Sequence, residues 1–169
     1  PWENDLVSHD ATTKEYVVIN STKGHLKEAI AAANKDYTKI KNLKITGEIS
    51  AQDFYFMRDS MENLAALNLK EVIIRGGEQR LTGGAQGVYP HNDYEIPYEA
   101  LRGKKSLNLL VLPDKLTKIG IAAFADDQNI TGSLIIPEGV TEIEVGAFYD
   151  CRSMNGTLSL PVSYTHLRA

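Results

Sequence analysis

The sequence predicts an α/β fold: a right-handed solenoid of 23–24-residue repeats preceded by a strand-plus-helix N-terminal cap. Three observations lead there. Prolines recur at 113, 137 and 161, each 24 residues apart. The text around them repeats, as LVLPDKLTKIGIAAFADD, LIIPEGVTEIEVGAFYDC and LSLPVSYTHLRA. The spacing L-x-x-L-x-L appears in IKNLKI (40–45), again 24 residues on in LAALNL (64–69), and once more in LNLLVL (107–112). Between the first two long copies seven positions are identical: Leu110/Leu134, Pro113/Pro137, Thr117/Thr141, Ile119/Ile143, Ala123/Ala147, Phe124/Phe148 and Asp126/Asp150. Chance gives about one identity over such a length, so the period is real.

L-x-x-L-x-L is the strand core of a leucine-rich repeat. Alternate residues of a short strand share a face, so Leu110 and Leu112 are expected in the core and Val111 outside. The following proline has no N–H to continue a ladder. The Phe of each Ala-Phe pair is expected to close the core from the opposite wall. One such unit cannot bury its apolar face alone, and stacking copies does.

The elements follow in order. EYVVIN (15–20) reads as a first strand. Asn20, Ser21 or Thr22 is placed to cap a helix over about 23–34, with Leu26, Ile30 and Ala33 on one face. Residues 40–46 read as a strand. SAQD (50–53) has the spacing of a capping box and opens a helix with Phe54, Met57 and Met61 on one side. A strand over about 67–74 follows, then an insertion at 75–95 rich in Gly and Tyr, then a short helix near 97–101. The expected organisation is a cap at 1–39, leucine-rich repeats at 40–161 with the insertion, and a truncated repeat or non-native tail at 162–169. The start at Pro1 leads to the expectation of a removed leader or a fragment, and a longer natural protein.

LIIPEGVTEIEVGAFYDC and LVLPDKLTKIGIAAFADD resemble the "tIPxsVtsIgxxAFxxC" repeat of the BspA-like leucine-rich-repeat proteins of gut and oral Bacteroidales. LKITGEISAQDFYFMRD followed by LAALNLKEVII is similar to the region that precedes such repeats. The likeness covers about residues 20–161. It implies export to the periplasm, cell surface or extracellular space, and adhesion or protein–protein contact with host extracellular matrix or another cell surface. It does not imply catalysis.

Composition narrows the classes. A 43% hydrophobic, 24% charged chain of 169 residues has enough apolar material for a core. A net charge of −4 without long charge blocks gives no reason to expect nucleic acid or an anionic membrane as partner. No apolar run approaches the roughly 18 residues of a membrane span. The single cysteine, Cys151, aligns with Asp127 one repeat earlier, which suits a filler better than a nucleophile. His9, His25, His91 and His166 are scattered without metal-binding spacing, and no cofactor or metal is expected. Asp126, Asp127 and Asp150 read as solvated turn residues. RGGEQRLTGGAQG (75–87) lacks the G-K-[ST] ending of a phosphate loop. The N-x-[ST] sequences at Asn20, Asn129 and Asn155 read as turns.

Two groups remain as binding candidates. The outward strand positions Lys44, Asn68, Val111, Ile135 and Ser159 form a ladder, in which Val111 and Ile135 make either a protein-contact patch or half-exposed β-formers. Tyr89 and Tyr94 of the insertion, with Tyr98 beside it, either stack on sugar rings or fold back over the repeats. The expectation is therefore a non-enzymatic surface or secreted protein-binding module, with a carbohydrate-binding or scaffolding segment of a larger surface enzyme or glycan-uptake protein as the alternative.

Overall fold

The computed structural model describes residues 15–77, 89–131, 134–155, 158–160 and 166–167; for 158–159 and 166–167 it describes the backbone alone. Every paired strand lies parallel to its neighbours. β1 (Val17–Ser21) is followed by α1 (Leu26–Ala32), and β2 (Asn42–Ile49) by α2 (Ala51–Ser60). β3 (Ala66–Asn68) and β4 (Val72–Ile74) come next, then β5 (Glu95–Ile96). After that, pairs of short strands alternate with turns: β6 (Leu109–Val111), β7 (Lys118–Ile119), β8 (Leu134–Ile135), β9 (Glu142–Ile143), β10 (Leu158–Ser159) and β11 (His166–Leu167). The protein is thus mixed α/β, with few helices and parallel sheets.

The strands fall into two layers joined by a wall. In the first layer the order is β1-β2-β3-β6, and β8 pairs with β10 in a separate ladder. In the second, the end of β2 pairs with β4, and β5, β7, β9 and β11 run on in order. β2 serves both layers because it is long: Asn42–Lys44 pair with β3, and Gly47–Ile49 with β4. Gly47 sits between the two halves at φ +83°, where a Cβ would collide with the Ser21 carbonyl, so glycine is required there.

The wall facing these layers changes character along the chain. It is helical in α1 and α2. Over 97–104, 120–127 and 144–151 it is a succession of turns. The short helix expected near 97–101 therefore does not form. Positive φ at Glu99, Ala122 and Gly146, and again at Gly103, Asp126 and Asp150, breaks helical geometry at equivalent places in three copies. The N–H groups released from i−4 bonding reach the next copy instead. Glu99, Leu101 and Gly103 donate to the carbonyls of Ile121, Ala123 and Ala125; Ala122, Phe124 and Asp126 donate to those of Val145, Ala147 and Tyr149.

The core lies between layers and wall. Leu43, Ile45, Leu67, Leu69, Leu110, Leu112, Leu134 and Ile136 enter it from the first layer, as the alternation predicts. Phe54, Met57, Met61 and Phe124 enter from the wall and are fully buried. Phe148 stacks on Phe124 with ring centroids 5.5 Å apart, but is only half-buried.

Two further expectations change. The strand expected over 67–74 is two strands, because Asn68 Oδ1 accepts the Lys70 N–H and turns the chain. α1 is shorter than expected and is not capped by Asn20, Ser21 or Thr22; its N-cap position is His25, with no side-chain bond. The cap comes from Asp53 in α2. Its carboxylate accepts Gly24 N–H at 2.8 Å, Leu26 N–H at 3.0 Å and, in the capping box expected from SAQD, Ser50 N–H at 2.9 Å.

Two outcomes follow for stability, both read by urea denaturation. Phe124→Ala should destabilise by about 3–5 kcal/mol, as for other buried aromatics, whereas half-buried Phe148→Ala should lose roughly 1–3 kcal/mol. Asp53→Ala strands three donors at two helix starts and should lose about 3 kcal/mol or more.

Candidate functional site

The ladder expected at the outward strand positions exists in register. Val18 pairs with Lys44, Lys44 with Asn68, and Asn68 with Val111. Ile135 pairs with Ser159 in the separate two-stranded ladder. The members differ in what they offer. Val111 and Ile135 are half-buried. Lys44 Nζ lies 2.9 Å from Glu71 Oε2, so its charge is paired. Asn68 departs from the expected outward position: it is 6% exposed, held by its bond to the Lys70 N–H. The Ser159 side chain lies outside the described residues. Sequence reasoning passed over Val18, which is 59% exposed in the same row. The alternation of EYVVIN carried that signal, since Ile19 beside it is buried. A second ion pair, Lys70–Asp114 at 2.9 Å, lies just past the ends of β3 and β6.

The outward positions of the second layer are charged. Lys118 Nζ sits 2.9 Å from Glu144 and 3.6 Å from Glu142. Partial burial opposes its charge, but the hydrogen bond to Glu144 and the nearby carboxylates hold it above the usual lysine range. Arg75 bridges Glu48 at 2.7 Å and Asp93 at 3.2 Å. These pairs join residues 18 to 27 apart in sequence, so only the register brings them together.

The tyrosines of the insertion fold back. Tyr89 stacks on Tyr98 at 4.3 Å and 12° between rings, and the Tyr98 carbonyl accepts the Tyr55 hydroxyl. Tyr94 is half-buried at φ 65°. Its N–H donates to Ile74 and its carbonyl accepts from Thr117, so its backbone ties β4 to β7. Tyr89 remains 37% exposed. His91 Nε2 contacts the Arg75 carbonyl at 3.1 Å, and burial pushes its pKa down. Most of the glycine-rich run, 78–87, lies outside the described residues, as does His9.

Cys151 occupies a repeated slot at the end of the wall turn, equivalent to Asp127 and Lys104. Its thiol donates to the Phe124 carbonyl at 3.1 Å. Burial, reinforced by the charge of Asp127, pushes its pKa up to about 12. A thiol so held remains protonated and is a poor nucleophile. Asp127 corrects the reading of these aspartates as solvated: it is 0% exposed and accepts the Lys104 N–H at 2.6 Å. Lys104, 5% exposed, donates through Nζ to the Met61 and Arg58 carbonyls at the end of α2. Asp126 and Asp150 do pair at the surface, with Arg102 and Arg152. Asn20 is an exposed strand residue, not a turn, and accepts the Thr46 hydroxyl. Among the described residues, no three His, Cys, Asp or Glu are grouped to hold a metal ion. Cys151 should react with iodoacetamide at pH 8 at least tenfold more slowly than a free thiol, read by intact mass; an equal rate would contradict its half-buried, protonated state.

The repeated strand, turn and wall have a counterpart among known families. The family model for a BspA type leucine rich repeat region (6 copies) matches residues 94–168. No curated protein matches the sequence. The match begins at Tyr94, where the backbone re-enters the second layer after the insertion, and takes in both long copies. From Tyr94 onward the chain is a leucine-rich-repeat region of the BspA type.

Proposed function

We propose that this chain is a non-enzymatic, surface-exposed or secreted solenoid module that binds a protein partner through the outward face of its first layer. The outward residues Val18, Lys44 and Val111 of one register, with Ile135 of the separate ladder, carry this reading. They offer three solvent-reaching β-branched side chains on regular backbone, flanked by ion pairs that already satisfy their own charges. Leucine-rich repeats generally bind proteins, and apolar spots inside a polar rim suit such contact. The half-buried, protonated thiol supports the non-enzymatic part of the reading. No helix among the described residues is long and apolar enough to cross a membrane; a surface or secreted location rests on the resemblance to the family.

An array of extracellular-matrix and cell-surface proteins tests the proposal. A partner should be found whose affinity falls at least tenfold when Val111→Asp and Ile135→Asp are combined, with circular dichroism unchanged. Absence of any partner, or full binding by the double variant, would count against it.

A second reading rests on the Tyr89–Tyr98 stack. It presents a flat aromatic surface of the kind that sugar rings pack against. Glycan binding that is lost on Tyr89→Ala and retained on Val111→Asp would favour a carbohydrate-binding role over the protein-binding one.

A further inference from the structure

The slot shared by Lys104, Asp127 and Cys151 holds a carboxyl group that no binding role uses. Asp127 is closed to solvent. Its Oδ1 is occupied by the Lys104 N–H at 2.6 Å. Its Oδ2 is buried with no hydrogen-bond partner among the described residues. The Gly103 N–H nearby is committed to the Ala125 carbonyl. The Lys104 ammonium is committed to the Met61 and Arg58 carbonyls, and the Cys151 thiol to the Phe124 carbonyl. We propose that Asp127 is a proton-linked latch across consecutive wall turns, holding them together as a neutral acid and loosening them when it ionises.

The charged surroundings agree in direction. Burial pushes the Asp127 carboxyl up to about 8, with the Asp126 charge adding to the rise and the Lys104 N–H, the Lys104 ammonium and the neighbouring Gly103 N–H opposing it. Asp59 and Glu62 face Lys104 and favour its charged form against its own burial. Asp126 and Asp150 reach the Cys151 end of the slot. No charged group other than Lys104 offsets an Asp127 carboxylate among the causes that shift it.

The sign follows from the two pKa values. An unfolded carboxyl releases its proton near 3.8, whereas the folded one holds it to about 8. Stability from this group is complete below about pH 4 and falls as pH rises. Its unfolding equilibrium constant grows by up to about tenfold per pH unit, and levels off above about 8. His91, pushed down by burial, acts with the opposite sign on the acid side. It is common to any pair of proteins that differ only at Asp127.

Urea unfolding of the full chain from pH 5 to 9, with and without Asp127→Asn, tests this. The amide preserves the acceptor for Lys104 N–H and cannot ionise. The variant should lack the fall in midpoint that the unsubstituted protein shows between pH 5 and 8, and should be the more stable of the two at pH 8.5. Parallel curves would overturn the proposal. Should Asp127→Asn fail to fold, a carbon-13 carboxyl titration of the unsubstituted protein decides. A midpoint near 8 for Asp127 upholds the latch, and one near 4 removes it.

Discussion

Each turn of this chain leaves a row of backbone groups and a row of apolar side chains that only the next turn, laid on it in register, can satisfy. In the wall the dependence is explicit: alternate N–H groups of 99–103 and 122–126 donate to the following copy and not within their own. Buried backbone groups need partners, so a copy that slipped by one residue would lose these bonds and turn its leucines outward together. The positive-φ residues at equivalent sites in three copies show that the wall's shape is fixed by this demand, even where the residue is Glu, Ala or Asp rather than Gly.

The same constraint explains how an insertion is absorbed. Leu67 and Leu110 are direct neighbours in the first layer although they stand 43 positions apart in sequence. In the second layer the chain leaves after β4 and returns at Tyr94, whose N–H bonds to Ile74, so β5 stands between β4 and β7. One layer therefore receives one more strand than the other over this stretch. The insertion is tied at its base by the Gly77–His91 bridge and by Asp93, whose carboxylate takes both Arg75 and the Gly76 N–H. Interior packing stays continuous: Ile74, Ile96 and Ile119 are all buried.

This division also marks what could be read from the sequence. The strand cores, their inward leucines and the ladder Lys44–Asn68–Val111 were legible because they depend on a period of two within a strand and of 24 between strands. The capping box was legible for the same reason, being a local spacing. Asp53 capping a second helix was not, since its partners are 27 and 29 residues away. The first wall turn, near 97–101, reads as a short helix because helix and turn share composition, and the choice is made by acceptors in the next copy. Strand alternation places Asn68 outward, and its turn position makes Asp127 read as solvated. Their burial follows from a single backbone N–H that each one accepts, and alternation does not report it.

The slot at the end of each wall turn makes the point most directly. Lys104, Asp127 and Cys151 are a cation, a carboxyl and a thiol, yet they occupy equivalent places. Each follows a residue at positive φ, and each bonds to main chain in a neighbouring turn: α2 carbonyls for Lys104, the Lys104 N–H for Asp127, the Phe124 carbonyl for Cys151. What the slot selects is therefore a side chain able to complete a hydrogen bond to backbone inside a low-dielectric wall, and its chemical class is free to vary. Groups chosen for that reason become titratable only as a by-product of burial, which raises the thiol and the carboxyl together. A unique cysteine in such a slot reports on how consecutive turns are joined, and its rarity in the sequence carries no argument for reactivity.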